Sequence, residues 1–233
     1  MKYSIIYISL LLSIAILNNC KRSRESPFNS EGEIHYEISY IENGLDKIST
    51  DMLPNKMVTK YRGENYSFDI EGFFGLFVIE NIVNPKLSKN FTLLNVLNKK
   101  FYYQGELNEP AVGFGLIPEM NIEFTEETKY ICGIECKKAL AIFPFAKKSN
   151  DTLEIFYTSE IPIPNPNRTT PYRKIDGVLM EFYLELPNLK MKLTANAVYK
   201  KNIAIAEFVK PDGYKEVSRA YLETVLYKLM DPE

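Results

Sequence analysis

Residues 33–40 read Glu-Ile-His-Tyr-Glu-Ile-Ser-Tyr, a strict alternation of polar and apolar side chains. Successive side chains of a β-strand point to opposite faces, so this stretch predicts a strand with one buried face and one wet face. The buried face carries Ile34, Tyr36, Ile38 and Tyr40. Such one-sided alternation is typical of an antiparallel sheet that is covered on one face only.

The same pattern returns in the last third of the chain. Residues 178–186 and 191–199 both alternate, and Pro187-Asn188-Leu189 between them predicts the turn of a long hairpin. Weaker strand patterns, separated by short turns, occur at residues 56–61, 66–70, 91–97, 100–104, 129–132, 137–143 and 153–159. Many short strands at short intervals favour a meander over βαβ units.

Three segments depart from this pattern. Residues 72–82 (GFFGLFVIENI) are so uniformly apolar that a buried strand and a short buried helix both stay open. Residues 161–171 carry four prolines, which lack ladder donors and predict an extended loop or an edge segment. Residues 214–230 carry an apolar stripe at helical spacing, which predicts a C-terminal helix packed on the sheet.

Composition and motifs exclude several function classes. The formal net charge of −2 does not suit a nucleic-acid partner. The single histidine, His35, lies on the polar face of its predicted strand and is interpreted as a surface residue. The sequence has no nucleophile elbow, zinc-binding pair or phosphate-binding loop. We therefore expect no catalytic residue, no metal and no cofactor.

The first 19 residues have the features of a signal peptide. Lys2 precedes an apolar stretch from Ile5 to Leu17, which is shorter than the roughly 20 residues of a spanning helix. Residues 17–20, Leu-Asn-Asn-Cys, resemble a relaxed lipobox, with Asn19 where a small residue is usual. This resemblance implies cleavage before Cys20 and a lipid on its sulfur. An uncleaved anchor helix and a secreted protein with an incidental Cys20 stay open as alternatives.

These features divide the chain into a signal peptide (1–19), a lipidated cysteine with a flexible polar tether (20–30) and a single domain (31–233). The tether is basic, with Lys21, Arg22 and Arg24. Many bacterial lipoproteins that are displayed on the cell surface carry an acidic cluster after the cysteine. Because the tether resembles these less than it resembles periplasm-facing lipoproteins, we expect the lipid anchor to hold the protein on the outer membrane, facing the periplasm.

Two further cysteines, Cys132 and Cys136, flank Gly133-Ile134-Glu135 between two strand-like runs. In an oxidising compartment, this spacing predicts a hairpin loop closed by a disulfide. A metal site is disfavoured because two thiols without further ligands do not complete a tetrahedral shell.

Four stretches carry a resemblance to a family: residues 127–139 (ETKYICGIECKKA), 157–162, 175–181 and 191–193. Together they resemble Bacteroidota-type envelope lipoproteins of the DUF4412 and GLPGLI kind. The resemblance implies an α+β fold of the LolA-like and LppX-like type, a curved antiparallel half-barrel with covering helices that include the C-terminal one. Relatives with this fold hold lipids or acyl chains against the concave face.

This fold implies an envelope lipoprotein that binds a lipid or other apolar ligand. The candidate lining residues are Ile34, Tyr36, Ile38, Met180, Phe182, Leu184, Met191 and Leu193, with Phe73, Phe74 and Phe77 as a wall or lid. Two alternatives stay open: the same residues form a closed core, or the protein is a structural or interaction lipoprotein with no small-molecule ligand. We do not expect an enzyme.

Overall fold

A computed structural model of the 233-residue chain describes residues 28–44, 53–72, 75, 77–114, 120–143, 152–186 and 189–230. These residues form one 12-stranded sheet and one α-helix. The predicted signal peptide, Cys20 and most of the tether lie outside the described residues, as do Phe73 and Phe74.

The described strands are β1 (Glu31–Asn43), β2 (Lys56–Arg62), β3 (Asn65–Gly72), β4 (Phe77–Asn84), β5 (Lys89–Val96), β6 (Lys99–Glu106), β7 (Asn121–Ile131), β8 (Ile134–Ile142), β9 (Thr152–Thr158), β10 (Val178–Leu186), β11 (Leu189–Tyr199) and β12 (Lys215–Glu216). The helix α1 spans Arg219–Met230, and short 3-10 helices span Pro85–Leu87 and Ile205–Phe208. Every neighbouring pair is antiparallel except β12, which runs parallel to β6.

The sheet consists of two meanders joined at one seam. Its strand order is β12-β6-β5-β4-β3-β2-β1-β11-β10-β9-β8-β7, so β1 pairs on one side with β2 and on the other with β11. Ile38 lies opposite Leu193 across this seam. The predicted strand at 33–40 and the predicted hairpin at 178–199 are both confirmed, with Leu184 opposite Met191 in the hairpin.

The sheet is strongly curved and does not close. The turn between β7 and β8 reaches β11, where the Cys132 thiol lies 3.3 Å from the carbonyl oxygen of Ala195, although β9 and β10 separate β8 from β11 in the sheet. We call the face that bears Ile34, Tyr36 and Ile38 the inner face. Its side chains from both meanders meet in one large buried cluster. The coarse prediction of a curved antiparallel sheet with a C-terminal helix is therefore confirmed.

A loop covers much of the inner face. Residues 159–177, which include the proline-rich segment, fold over β1–β3 and β10, and Ile161, Ile163 and Tyr172 are buried in the main cluster. The Asn167 amide holds the loop, since its Nδ2 lies 2.8 Å from each of the carbonyl oxygens of Ile175 and Gly177. Several covering helices were predicted. Within the described residues, this loop and α1 provide the cover.

The chain after β11 covers both faces of the other meander. Ile203 and Phe208 pack on Ile82, Phe91 and Leu93, side chains of the opposite face, which we call the outer face. The chain then crosses the sheet edge, and Leu222 and Leu226 of α1 pack against Leu94 and Val112. The helix begins at Arg219 rather than near residue 214, because residues 215 and 216 form the parallel strand β12.

Candidate functional site

The inner face contains a cavity of about 110 Å³ between the sheet and α1. Side chains of β1, β3, β4, β5, β10 and β11 form its floor and walls. Residues 111–114 and four residues of α1 close it from above. Its wall is mostly aliphatic and aromatic, and it includes Ile70, Ile79, Phe77, Leu226 and Leu229.

Polar groups in the wall make hydrogen bonds within the protein. The Tyr40 hydroxyl donates to a main-chain carbonyl at 2.6 Å. The Asn81 amide donates to the carbonyl of Phe91 at 3.1 Å, and its oxygen accepts from the Thr169 hydroxyl at 3.0 Å. The Thr92 hydroxyl oxygen accepts a main-chain N–H at 3.3 Å. A ligand in this cavity therefore meets mostly apolar surface, and Tyr40, Asn81 and Thr92 already have partners within the protein.

One arginine fastens the first turn of α1 beside this cavity. Arg219 Nε lies 2.9 Å from a carboxylate oxygen of Glu223, which is itself a wall residue. Its Nη1 lies 2.9 Å from Glu109 and 2.7 Å from the carbonyl of Pro110, and its Nη2 lies 3.4 Å from the carbonyl of Ala111. The guanidinium thus ties α1 to the loop that closes the cavity.

The Glu109 carboxylate has two further donors besides Arg219. It also accepts from the Tyr103 hydroxyl at 3.0 Å and from the main-chain N–H of Glu106 at 3.1 Å. Burial alone would raise the pKa of Glu109, but these donors and Arg219 together hold that pKa below its ordinary value. Glu109 is therefore held as a carboxylate, and Arg219 is its cationic partner.

A second, smaller cavity of about 50 Å³ lies next to the first. Phe68, Phe114 and Leu184 line both cavities, and the two phenylalanine rings have their centroids 6.1 Å apart. The proline-rich loop contributes Ile163, Pro166 and Tyr172 to its wall. The two cavities therefore share part of their wall, which includes both of these rings.

The predicted lining residues divide into three groups. Phe77, Leu184 and Met191 line the larger cavity, and Tyr36, Phe182 and Leu184 line the smaller one. Four others, Ile34, Ile38, Met180 and Leu193, belong to the tightly packed main core, where each is 6% exposed or less. For Phe73 and Phe74 the prediction lies outside the described residues.

Several wall residues were not predicted from the sequence. Tyr40 continues the alternation of β1, and Ile70 belongs to a predicted strand, so extending the period along each strand would have found both. Residues 111–114 form turns without any periodicity and carry no such signal. Tyr227 lies between positions of the predicted helical stripe.

Cys132 and Cys136, the pair predicted to form a disulfide, are both free thiols in the structure. The predicted loop at residues 133–135 was wrong. Ile131 lies opposite Ile134, so the turn consists of Cys132 and Gly133, whose φ angles of 53° and 76° are both left-handed. Two-residue hairpins favour such turns because their twist matches that of the strands.

In this register, the two cysteines have different environments. Cys136 lies within β8 and is fully buried, whereas Cys132 is exposed at the turn. Burial raises the pKa of Cys132 and raises that of Cys136 to about 11. Both groups are therefore protonated near neutral pH, where a thiol is a weak nucleophile.

The outer face carries a pair of carboxyl groups that the sequence did not reveal. Asp69 of β3 lies directly opposite Glu80 of β4. Burial raises the pKa of Asp69 to about 6 and that of Glu80 to about 7, and repulsion by Asp69 adds to the shift of Glu80. Lys60 opposes both shifts, but its ammonium group is also 2.7 Å from Glu207.

His35 also lies on the outer face, as predicted. Its Nε2 is 3.2 Å from Glu33, and its ring is 4.9 Å from that of Tyr199. Within the part of the chain that the structure describes, no three His, Cys, Asp or Glu residues are grouped so that they could hold a metal ion. In the same residues, no helix is both long and apolar enough to cross a membrane.

The fold is shared with a larger protein. Two solved structures of PNGF-II, in P21 and C2 space groups, are similar to this chain with TM-scores of 0.52 and 0.50, and both are 17% identical in sequence. The similarity covers 86% and 87% of this chain but 34% and 32% of theirs, so the chain spans about a third of their length. At this identity the likeness shows the fold alone. No protein-family model and no curated protein matches the chain.

Proposed function

We propose that this protein is an envelope lipoprotein of the LolA-like half-barrel kind that binds a lipid or other apolar ligand on its inner face. The larger cavity is the observation that supports this proposal. It is lined by apolar side chains, and Tyr40, Asn81 and Thr92 in its wall already have hydrogen-bond partners. Apolar clefts with few polar groups are the usual form of small-molecule sites.

The volume sets the size of the ligand that enters without rearrangement. A buried apolar cavity of about 150 Å³ holds one benzene molecule. The larger cavity, at about 110 Å³, is smaller, so a benzene-sized ring or a six-carbon chain enters only when side chains of the wall move outward. A longer acyl chain needs the second cavity too, and separation of the Phe68 and Phe114 rings would provide it.

The chain contains no tryptophan, so one introduced at the cavity reports on binding without background. In Tyr227→Trp, we expect hexan-1-ol to shift the emission to shorter wavelength in a saturable way. The expected affinity is on the order of 1 mM, from about 0.6 kcal/mol for each non-hydrogen atom. Fluorescence titration measures it.

Two variants control this experiment. Tyr130→Trp places the indole on β7 at a residue that is 72% exposed, and its emission should not respond. Ile79→Phe, made in the Tyr227→Trp protein, adds bulk to the cavity wall and should abolish the response. If hexan-1-ol shifts both tryptophans alike, or neither, the protein has no such site, and a structural or interaction lipoprotein is then the better description.

We also propose that lipid on Cys20 anchors the protein to the outer membrane, facing the periplasm. The support is the short apolar stretch before Asn18 and the basic tether after Cys20. Cells fed a clickable fatty acid should label the wild-type protein, and Cys20→Ala should lose all label. Cys132→Ala is the matched control and should keep it. A wild-type protein without label would contradict the anchor.

A further inference from the structure

We infer that the cavity accepts ligands whose buried part is uncharged and excludes fatty-acid anions. This inference rests on the proposed function and names the class of ligand. It follows from the charges around the cavity wall. The described wall contains one ionisable acid, Glu223, and no lysine or arginine.

The cation bound to the wall residue Glu223 already has four protein acceptors. Arg219 bonds to Glu223, to Glu109 and to the carbonyls of Pro110 and Ala111. Two carboxylates thus surround one guanidinium, and the local charge is negative before a ligand enters. Glu109 is further held in its charged form by Tyr103. An incoming carboxylate would have to displace one of these acceptors to gain a cationic partner.

The remaining polar groups of the wall are neutral, so none of them offers a cationic partner. The Tyr40 hydroxyl and the Asn81 amide donate to protein carbonyls, and the hydroxyls of Thr92 and Tyr227 are neutral donors. A buried carboxylate without a cationic partner loses more hydration than neutral donors replace, and its pKa rises until it binds a proton. An alcohol or an esterified acyl chain has no charge to bury and does not incur this cost of desolvation. The favoured class is therefore neutral amphiphiles and acyl chains whose carboxyl group is esterified.

The test compares ligands that share one hexyl chain and differ in the charge of the head. With Tyr227→Trp as reporter at pH 8, we expect hexan-1-ol to bind and hexanoate to bind at least about tenfold more weakly. Hexanoate affinity should rise as the pH falls towards its own pKa, because the neutral acid then forms. Equal binding of alcohol and anion at pH 8 would overturn the inference and leave the proposed function standing. If neither ligand binds, both fail.

Two further measurements locate the cause. Glu223→Gln keeps a side-chain oxygen for Arg219 but removes the charge. It should reduce the difference in affinity between hexan-1-ol and hexanoate, which we call the gap. Glu185→Gln removes the same charge from an exposed position on β10 and should leave the gap unchanged. Equal narrowing in both variants would assign the effect to net charge and contradict the inference. Tighter binding of hexyltrimethylammonium than of hexan-1-ol would also overturn it, since the site would then select cations.

Discussion

Replacing Glu80 by Gln is expected to raise the free energy of unfolding at pH 8 by about 2 kcal/mol. The Glu80 carboxyl lies opposite Asp69 and is partly buried, and its pKa rises from 4.5 to about 7. A shift of that size corresponds to about 3 kcal/mol at about 1.36 kcal/mol per pH unit. The partial exposure of the side chain reduces the expected gain, because solvent screens the ionised form.

The same shift predicts a direction for the pH dependence. The folded protein holds a proton on Glu80 over a range, from about pH 4.5 to about pH 7, in which the unfolded chain has released it. Stability is therefore greatest below this range and falls as the pH rises through it. Asp69, with a pKa raised to about 6, also lowers the stability as the pH rises, and its contribution is complete at a lower pH than that of Glu80.

Urea denaturation at pH 5 and pH 8 measures both effects. The free energy of unfolding of the wild type should differ between the two pH values, and Glu80→Gln should reduce this difference. Glu37→Gln removes an exposed carboxylate from the same face and should leave that difference in place. Asp69→Asn should stabilise as well, and the double variant should gain less than the sum, because each change relieves the same repulsion. A wild-type protein that gains stability between pH 5 and pH 8 would contradict this account.

Replacing Arg219 by Met is expected to loosen α1 and cost about 2 kcal/mol of stability. The change leaves Glu109 and Glu223 without their cation and removes the donors to two carbonyls of the closing loop. Breaking a buried ion pair costs about 3–5 kcal/mol, and a lower value applies here because Arg219 is 23% exposed and Glu109 is 28% exposed. The apolar contacts of Leu222 and Leu226 remain.

Hydrogen exchange resolves where this loss occurs. Amides of residues 219–230 should exchange faster in Arg219→Met, whereas those of β10 and β11 should not change. Arg219→Lys keeps the charge but offers fewer, differently placed donors, so we expect an intermediate effect. Lys228→Met removes an exposed cation from the same helix and serves as the control. Faster exchange throughout the sheet would show that Arg219 supports the whole fold rather than α1.

Individual strands of this protein were predictable where polar and apolar residues alternate along the sequence. The strand at residues 33–40 and the hairpin at 178–199 follow from alternation of neighbouring side chains. The segment 72–82 was ambiguous because both faces of β4 are apolar in part, and pairing with β3 and β5 on its two sides decides it. The position of the turn near Cys132 was predicted wrongly. The sequence there is compatible with a two-residue and with a three-residue loop, and the two loops give different strand registers.

The candidate site could be predicted only in part, because it depends on contacts that are distant along the chain. Asp69 and Glu80 become neighbours through the register of β3 and β4. Arg219 meets Glu109 through the return of the C-terminal segment across the sheet edge. The inner-face residues of β10 and β11 were predicted correctly as apolar and inward. Whether each packs in the core or lines a cavity depends on the cover above it, and alternation carries no information about that.

The seam between β1 and β11 has a consequence for how the chain folds. Each meander forms from strands that are close in sequence, but the seam pairs Glu33 with Tyr199. When the chain is synthesised or exported from its N-terminus, we expect β1 to pair with β2 early. The other edge of β1 then stays unpaired until β11 is available, which requires nearly the whole chain. Contacts of such long sequence separation slow folding, and an open strand edge invites pairing with other chains. We therefore expect the docking of the two half-sheets to be a late step of folding, and the open edge of β1 to be available for pairing with other chains until it occurs.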